Sequence, residues 1–201
     1  MALSSPVGRL AVPAALGFVL GSLPVADFVS ARHAVDLRAV GDRNPGYWNA
    51  RQSIGREPAR AVLAGDVAKG AVAAMIGRAV GGPLGAVVGG GAAMAGHAWP
   101  LFAGFRGGRA VATFAGAATV LSPRSAAGAV GAGVVGWRVS SSGAAGVRTA
   151  FAAYPLAQLV VDGPRRTALT GVLMSFVGLR FWMAGRHPRG GRSDRANECG
   201  G

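Results

Sequence analysis

The chain has 201 residues, 51% of them hydrophobic and only 14% charged, with 34 glycines and a formal net charge of +13. That length allows one domain; the apolar content excludes a disordered low-complexity chain, and a single cysteine, Cys199, excludes a disulfide framework. The charge is nearly all arginine, placed at the ends of apolar segments, which is the pattern of a membrane protein and argues against nucleic-acid binding.

Seven apolar runs follow one another: 10–29, 61–80, 84–102, 110–121, 126–137, 144–161 and 168–184. Crossing a bilayer as a helix takes about 20 apolar residues. The two runs between 110 and 137 are short and read either as short helices or as a re-entrant pair lined by protein. The expected fold is therefore all-α, a polytopic membrane bundle of five to seven transmembrane helices over residues 1–185. A basic polar tail, 186–201, follows and is expected to be disordered. Arg32, Arg38, Arg43, Arg51, Arg56 and Arg60 lie between the first two runs, and Arg186, Arg189, Arg192 and Arg195 lie in the tail. The positive-inside rule puts both groups in the cytoplasm, so an even number of spans separates them and the N-terminus lies outside. Five and seven spans satisfy this; six does not. A signal peptide cleaved near Val25–Ala26 would send the first arginine group outside, against the same rule.

Polar residues interrupt the apolar runs at two places. In DVAKG, residues 66–70, Asp66 and Lys69 are three apart on one helix face and can pair. Ionisable groups inside a span are costly and mark function, the alternative being a structural pair near the interface. The second place is GHAWPLFAGFRGGRAVAT, residues 96–113. Its glycines can turn backbone N–H groups toward an anion, the sequence after it can open a helix whose N-terminus favours negative charge, and Arg106 and Arg109 add bidentate donors. The alternative is an arginine-flanked loop that obeys topology alone.

Taken in order, GSLP at 21–24, VDLRAVGDRNPGYWN at 35–49, DVAKG, the 96–113 stretch and Arg186-His187 resemble the bacterial acyl-phosphate-dependent glycerol-3-phosphate acyltransferases. The family form of the long motif, GHxxPxFxGFKGGKGVAT, is met almost residue for residue. The resemblance implies a multi-pass enzyme of the bacterial cell membrane that makes lysophosphatidic acid from acyl phosphate and glycerol 3-phosphate in phospholipid biosynthesis. It implies no cofactor and no metal. Carried over by position, the catalytic candidates are His97, Asn44, Asn49, Lys69 and His187. The substrate-binding candidates are Gly104, Arg106, Gly107, Gly108, Arg109, Asp42, Arg43, Arg51 and Thr113. An acyl phosphate is already activated, so positioning and electrostatics can supply most of the rate without a serine or cysteine nucleophile.

Two motifs depart from the family. GSGNxGxTN becomes GDRNPGYWN: Asn44, Gly46 and Asn49 match, while Asp42 replaces serine, Arg43 glycine and Trp48 threonine, and the following arginine shifts to Arg51. Asp42 would repel a phosphate unless Arg43 neutralises it, and Trp48 would reshape the pocket. The last motif, RHxxNI, stops after His187. These changes keep open a paralogue that is catalytically impaired or takes another phosphorylated acceptor. A small transporter with a basic gate is the remaining alternative, without the repeated halves such a fold shows.

Overall fold

The computed structural model describes residues 6–185; His187 and the tail 186–201, with Cys199, lie outside them. The described residues form eight α-helices and a single 3-10 turn, Leu101–Ala103. The helices are α1 (Pro6–Gly21), α2 (Val25–Ala31), α3 (Tyr47–Ser53), α4 (Arg56–Ala98), α5 (Val111–Leu121), α6 (Pro123–Ser140), α7 (Gly143–Asp162) and α8 (Pro164–Gly185).

The first apolar run is two helices. Pro24 has no amide to donate and disfavours helix at the residue before it, so α1 stops at Gly21 and α2 restarts at Val25. Ser22 closes the break, its hydroxyl donating to the Phe18 carbonyl at 2.8 Å.

Helix α4 is folded on itself. Gly82 has φ 63° and Gly81 is also non-helical, a conformation glycine adopts at little cost. Pro83 then opens the second leg with its φ already set. The two legs run antiparallel at backbone contact: a Cβ on Gly77 would enter Gly85, and one on Gly89 would enter Ala73. Small residues let membrane helices approach this closely, and packing then holds them without a hydrophobic driving force. Helix α1 lies along the second leg in the same way, Gly17 on Gly89 and Gly21 on Ala93. Helix α5 lies along the first leg, with Gly70 on Thr113 and Gly116 on Val67. Helices α6 and α7 form an antiparallel hairpin through Gly133 and Gly146. Helix α8 returns beside the second leg of α4, Phe176 meeting Trp99 edge-on at 5.6 Å.

The described residues thus make seven passes between two ends of the bundle: α1, the two legs of α4, and α5 to α8. The Pro6 end and the Gly185 end lie at opposite ends of the bundle, as an odd number requires. Four stretches are long and apolar enough to cross a membrane, Gly8–Ala31, Arg56–Ala103, Gly143–Asp162 and Pro164–Ala184, and the second contains both legs of α4. With 11 residues, α5 is only about 16 Å long. Its Phe114, Ala117 and Ala118 are buried against neighbouring helices, while Ala115 and Thr119 are exposed. The region 110–137 is therefore two successive passes joined at Ser122–Pro123.

A polar cluster secures the end of the bundle near that joint. Gln158 Nε2 donates to Ser122 Oγ at 2.6 Å, Thr170 donates to Gln158, and Ser125 donates to Asp162 Oδ2 at 2.9 Å. These bonds tie α6, α7 and α8 together and leave Gln158, which is fully buried, satisfied.

Candidate active site

At the other end, the α1–α2 break, the chain 36–46, the first leg of α4 and the 99–110 loop surround a small open cleft. Asp27, Arg38, Asp66, Lys69, His97 and Gly108 are among its walls. Asp66 Oδ1 is 2.9 Å from Lys69 Nζ and 3.4 Å from His97 Nδ1. Lys69 also donates to the Leu23 carbonyl at 3.4 Å. Asp66, Lys69 and His97 are 3%, 6% and 8% exposed, so each charge would be costly alone and is tenable only as a cluster. The pair expected at 66 and 69 therefore forms, and the fold in α4 adds His97 to it. With Nδ1 turned to Asp66, the ring presents Nε2 on its other side. Gly108 passes so near that a Cβ there would overlap Nε2, and one on Gly107 would enter the His97 carbonyl.

The two glycine amides do not face a ligand. Gly107 N–H donates to the Ala98 carbonyl at 3.2 Å and Gly108 N–H to the His97 carbonyl at 3.1 Å. The end of α4 leaves carbonyls without partners, and the loop folds straight back to fill them. The donors that remain are the Arg109 N–H and the first turn of α5, which has no side-chain cap. Beside them Arg109 Nε and Thr113 Oγ1 are buried without a partner, the kind of orphan that a bound anion would satisfy. Gly104 takes a left-handed turn at φ 59° with open space around it, and Arg106 is exposed.

The first motif is distributed differently from the expectation. Asn49 is buried, and its Nδ2 donates to the carbonyls of Leu37 at 2.7 Å and Val40 at 3.1 Å while its Oδ1 accepts from Ser53. It clamps the 37–41 chain and does not line the cleft. Asn44 donates its N–H to Asp42 Oδ1 at 3.2 Å. Asp42 Oδ2 in turn pairs with Arg109 Nη1 at 3.0 Å. The neutralising cation is thus Arg109, from the opposite loop. Arg43 is exposed in the left-handed region, φ 56°, with no ion pair among the described residues. Trp48 packs on Gly143 at the start of α7, and Arg51 lies over its ring at 5.7 Å. Neither lines the cleft, so Trp48 braces α3 against α7 and leaves the pocket unaltered.

Two cations were missed by sequence reasoning. Arg38 pairs with Asp27 and donates its Nε to the Arg106 carbonyl at 2.7 Å, joining the two loops across the cleft. Its signal was the charged VDLR at the start of a quoted motif. Arg180, on α8, donates to the carbonyls of Ala98, Gly107 and Gly108 at 3.1–3.3 Å and lies 5.1 Å from the Trp99 ring centre. Its signal was an arginine inside an apolar run.

Fold and site together define a class: a polytopic helical membrane protein with a charge-lined cleft at one end. A model of the glycerol-3-phosphate acyltransferase family matches residues 11–188, and the chain belongs to that family. It is 40% identical over 158 residues to a glycerol-3-phosphate acyltransferase of Neisseria meningitidis, covering 74% of this chain and 78% of that protein. It is 41% identical over 109 residues to one from Rubrobacter xylanophilus, covering 54% of this chain and 55% of that one. The chain thus spans about half the length of the relatives from Rubrobacter and Exiguobacterium sibiricum, 55% and 53%. A crystal structure of PlsY, an integral membrane glycerol 3-phosphate acyltransferase in its glycerol 3-phosphate form, superposes with a TM-score of 0.78 at 25% identity, over 87% of this chain and 88% of that one.

Proposed function

We propose that the chain transfers an acyl group from acyl phosphate to glycerol 3-phosphate, giving lysophosphatidic acid and inorganic phosphate. The observation that carries the reading is the buried Asp66–Lys69–His97 cluster set beneath the glycine–arginine loop. His97 Nε2 takes the proton of the acceptor hydroxyl, and Asp66 holds the ring and steadies the imidazolium that results. The freed oxygen attacks the acyl carbonyl carbon; the bond from that carbon to the phosphate oxygen breaks, and phosphate leaves with the electron pair. Lys69, Arg109 and the first turn of α5 supply positive potential for the phosphates. Membership of the family supports the reaction, and the glycerol 3-phosphate form of the similar PlsY supports the acceptor.

The setting is the bacterial cell membrane, with the N-terminus outside and the cleft on the cytoplasmic side, where the arginine-rich segments would lie. His187 would join the site from the tail. The occupation of Arg109 by Asp42 favours one further reading, a change of phosphorylated acceptor within the same chemistry. Purified protein with palmitoyl phosphate and labelled glycerol 3-phosphate tests both. Lysophosphatidic acid is expected, with kcat lowered about 10²–10⁴-fold in His97→Ala. No product with glycerol 3-phosphate but product with another phosphorylated polyol selects the second reading. No product with any acceptor overturns both.

A further inference from the structure

We propose that Arg180 is a positioning residue for the acceptor's phosphate, acting from α8 by fixing the orientation of the Gly108–Arg109 peptide. The inference rests on the reading that this loop binds the phosphate of glycerol 3-phosphate.

Arg180 is half-buried, and its Nε and Nη2 are both engaged by main-chain oxygens: Nε by Gly108 at 3.2 Å, Nη2 by Gly108 at 3.1 Å, Gly107 at 3.3 Å and Ala98 at 3.3 Å. A planar fork can gather three carbonyls in this way, and its stacking on Trp99 holds it in the required plane. These carbonyls belong to the end of α4 and the loop that caps it, where partial negative charge collects. Arg180 covers that charge on the side facing α8.

The consequence reaches the site through peptide geometry. All described peptide bonds are trans, so a carbonyl and the following N–H point in opposite directions. With the Gly108 carbonyl drawn to Arg180, the Arg109 N–H is turned away from α8. That N–H has no acceptor among the described residues, unlike those of Gly107 and Gly108. It stands next to the uncapped start of α5 and to the orphaned Arg109 Nε and Thr113 Oγ1. The same peptide carries Gly108 past His97 Nε2. One arginine thereby sets both an anion donor and the stretch of backbone that faces His97 Nε2. With its Nε and Nη2 donating to main-chain carbonyls, it acts through the loop.

The test compares Arg180→Met and Arg180→Lys with the parent by steady-state kinetics and by hydrogen exchange in detergent. Lysine keeps the charge but lacks the planar fork and its stacking on Trp99. The KM for glycerol 3-phosphate is expected to rise roughly tenfold to a hundredfold in Arg180→Met, the loss of one or two charge-assisted bonds. The lysine variant is expected to fall between it and the parent, and the KM for palmitoyl phosphate to hold in both. Exchange should quicken over residues 99–110 and stay unchanged in α1 and the first leg of α4. Equal rises in both KM values overturn the proposal, as does unchanged exchange in the loop. Loss of protection throughout the bundle in both variants also overturns it, by making Arg180 a residue of the fold. A parent inactive on every acceptor defeats the functional reading instead; equilibrium binding of glycerol 3-phosphate and the loop exchange then still decide the role of Arg180.

Discussion

Replacing Asp42 by serine should tighten binding of the acceptor. Asp42 Oδ2 and Arg109 Nη1 are 3.0 Å apart, with side chains 45% and 27% exposed. Unit charges at that distance attract by about 1.4 kcal/mol in water and about 5.5 kcal/mol at an effective dielectric of 20. Exposure of this degree places the net worth of the pair near 1 kcal/mol. A phosphate must compete with Asp42 for Arg109. It is also repelled by the carboxylate, by about 1.4 kcal/mol for a dianion at ~6 Å in water, roughly halved by physiological salt. Together these terms give about 1–2 kcal/mol, so Asp42→Ser should lower the KM for glycerol 3-phosphate roughly five- to thirtyfold. Because a ground-state contact acts equally on the transition state, kcat should change little. The assay is initial rate against glycerol 3-phosphate at fixed palmitoyl phosphate, repeated at high salt, where the difference between the two proteins should shrink. Arg43→Gly is the control. Arg43 is exposed, left-handed and without an ion pair among the described residues, so glycine should leave KM unchanged and relieve up to about 1 kcal/mol of backbone strain. An unchanged or higher KM in Asp42→Ser refutes the reasoning, and so does an Arg43→Gly variant that weakens acceptor binding.

Gly108→Ala places a methyl group in overlap with His97 Nε2, so the ring or the loop must shift; kcat should fall about 10²-fold, and a normal kcat would put Nε2 outside the chemistry. Asn49→Ala strands the carbonyls of Leu37 and Val40, and thermal unfolding in detergent should report a loss of about 2–4 kcal/mol. An unaltered unfolding midpoint would show that the 37–41 chain is held without Asn49. Cys199 should resist an impermeant maleimide in intact cells and react after lysis; labelling of intact cells would reverse the proposed orientation.

The long passes were readable because proline, glycine or arginine stands at or near the ends of their apolar runs, whereas the two short runs between 110 and 137 left five and seven spans both open. Asp66 and Lys69 were readable as a pair because their partnership is local to one helix. His97 joins them only after α4 folds at Gly81–Gly82, and no spacing rule announces a contact across that turn. The partner of Asp42 was misread for the same reason: Arg43 is its neighbour in sequence, but Arg109 is its neighbour in space. The glycines of the loop marked a special backbone correctly, yet glycine content alone does not say which acceptor claims the amides, and the end of α4 was the nearer one. Arg180 was not legible because no motif surrounds it and its partners, the carbonyls of Ala98, Gly107 and Gly108, are distant in sequence.

The fold in α4 also bears on how such a chain is assembled. Asp66, Lys69, His97 and the Leu23 carbonyl all lie within residues 23–97, and the two legs that join them meet over a turn of two glycines. The ions most costly to leave in lipid therefore find their counter-ions without waiting for α5 to α8. The Asp66–Lys69 pair is local to one helical turn, and His97 reaches it through a helical hairpin whose connecting turn is only two glycines. As the chain emerges N-terminus first, the first half can neutralise its own buried charge, and the later helices arrive at a surface that is already electrically quiet.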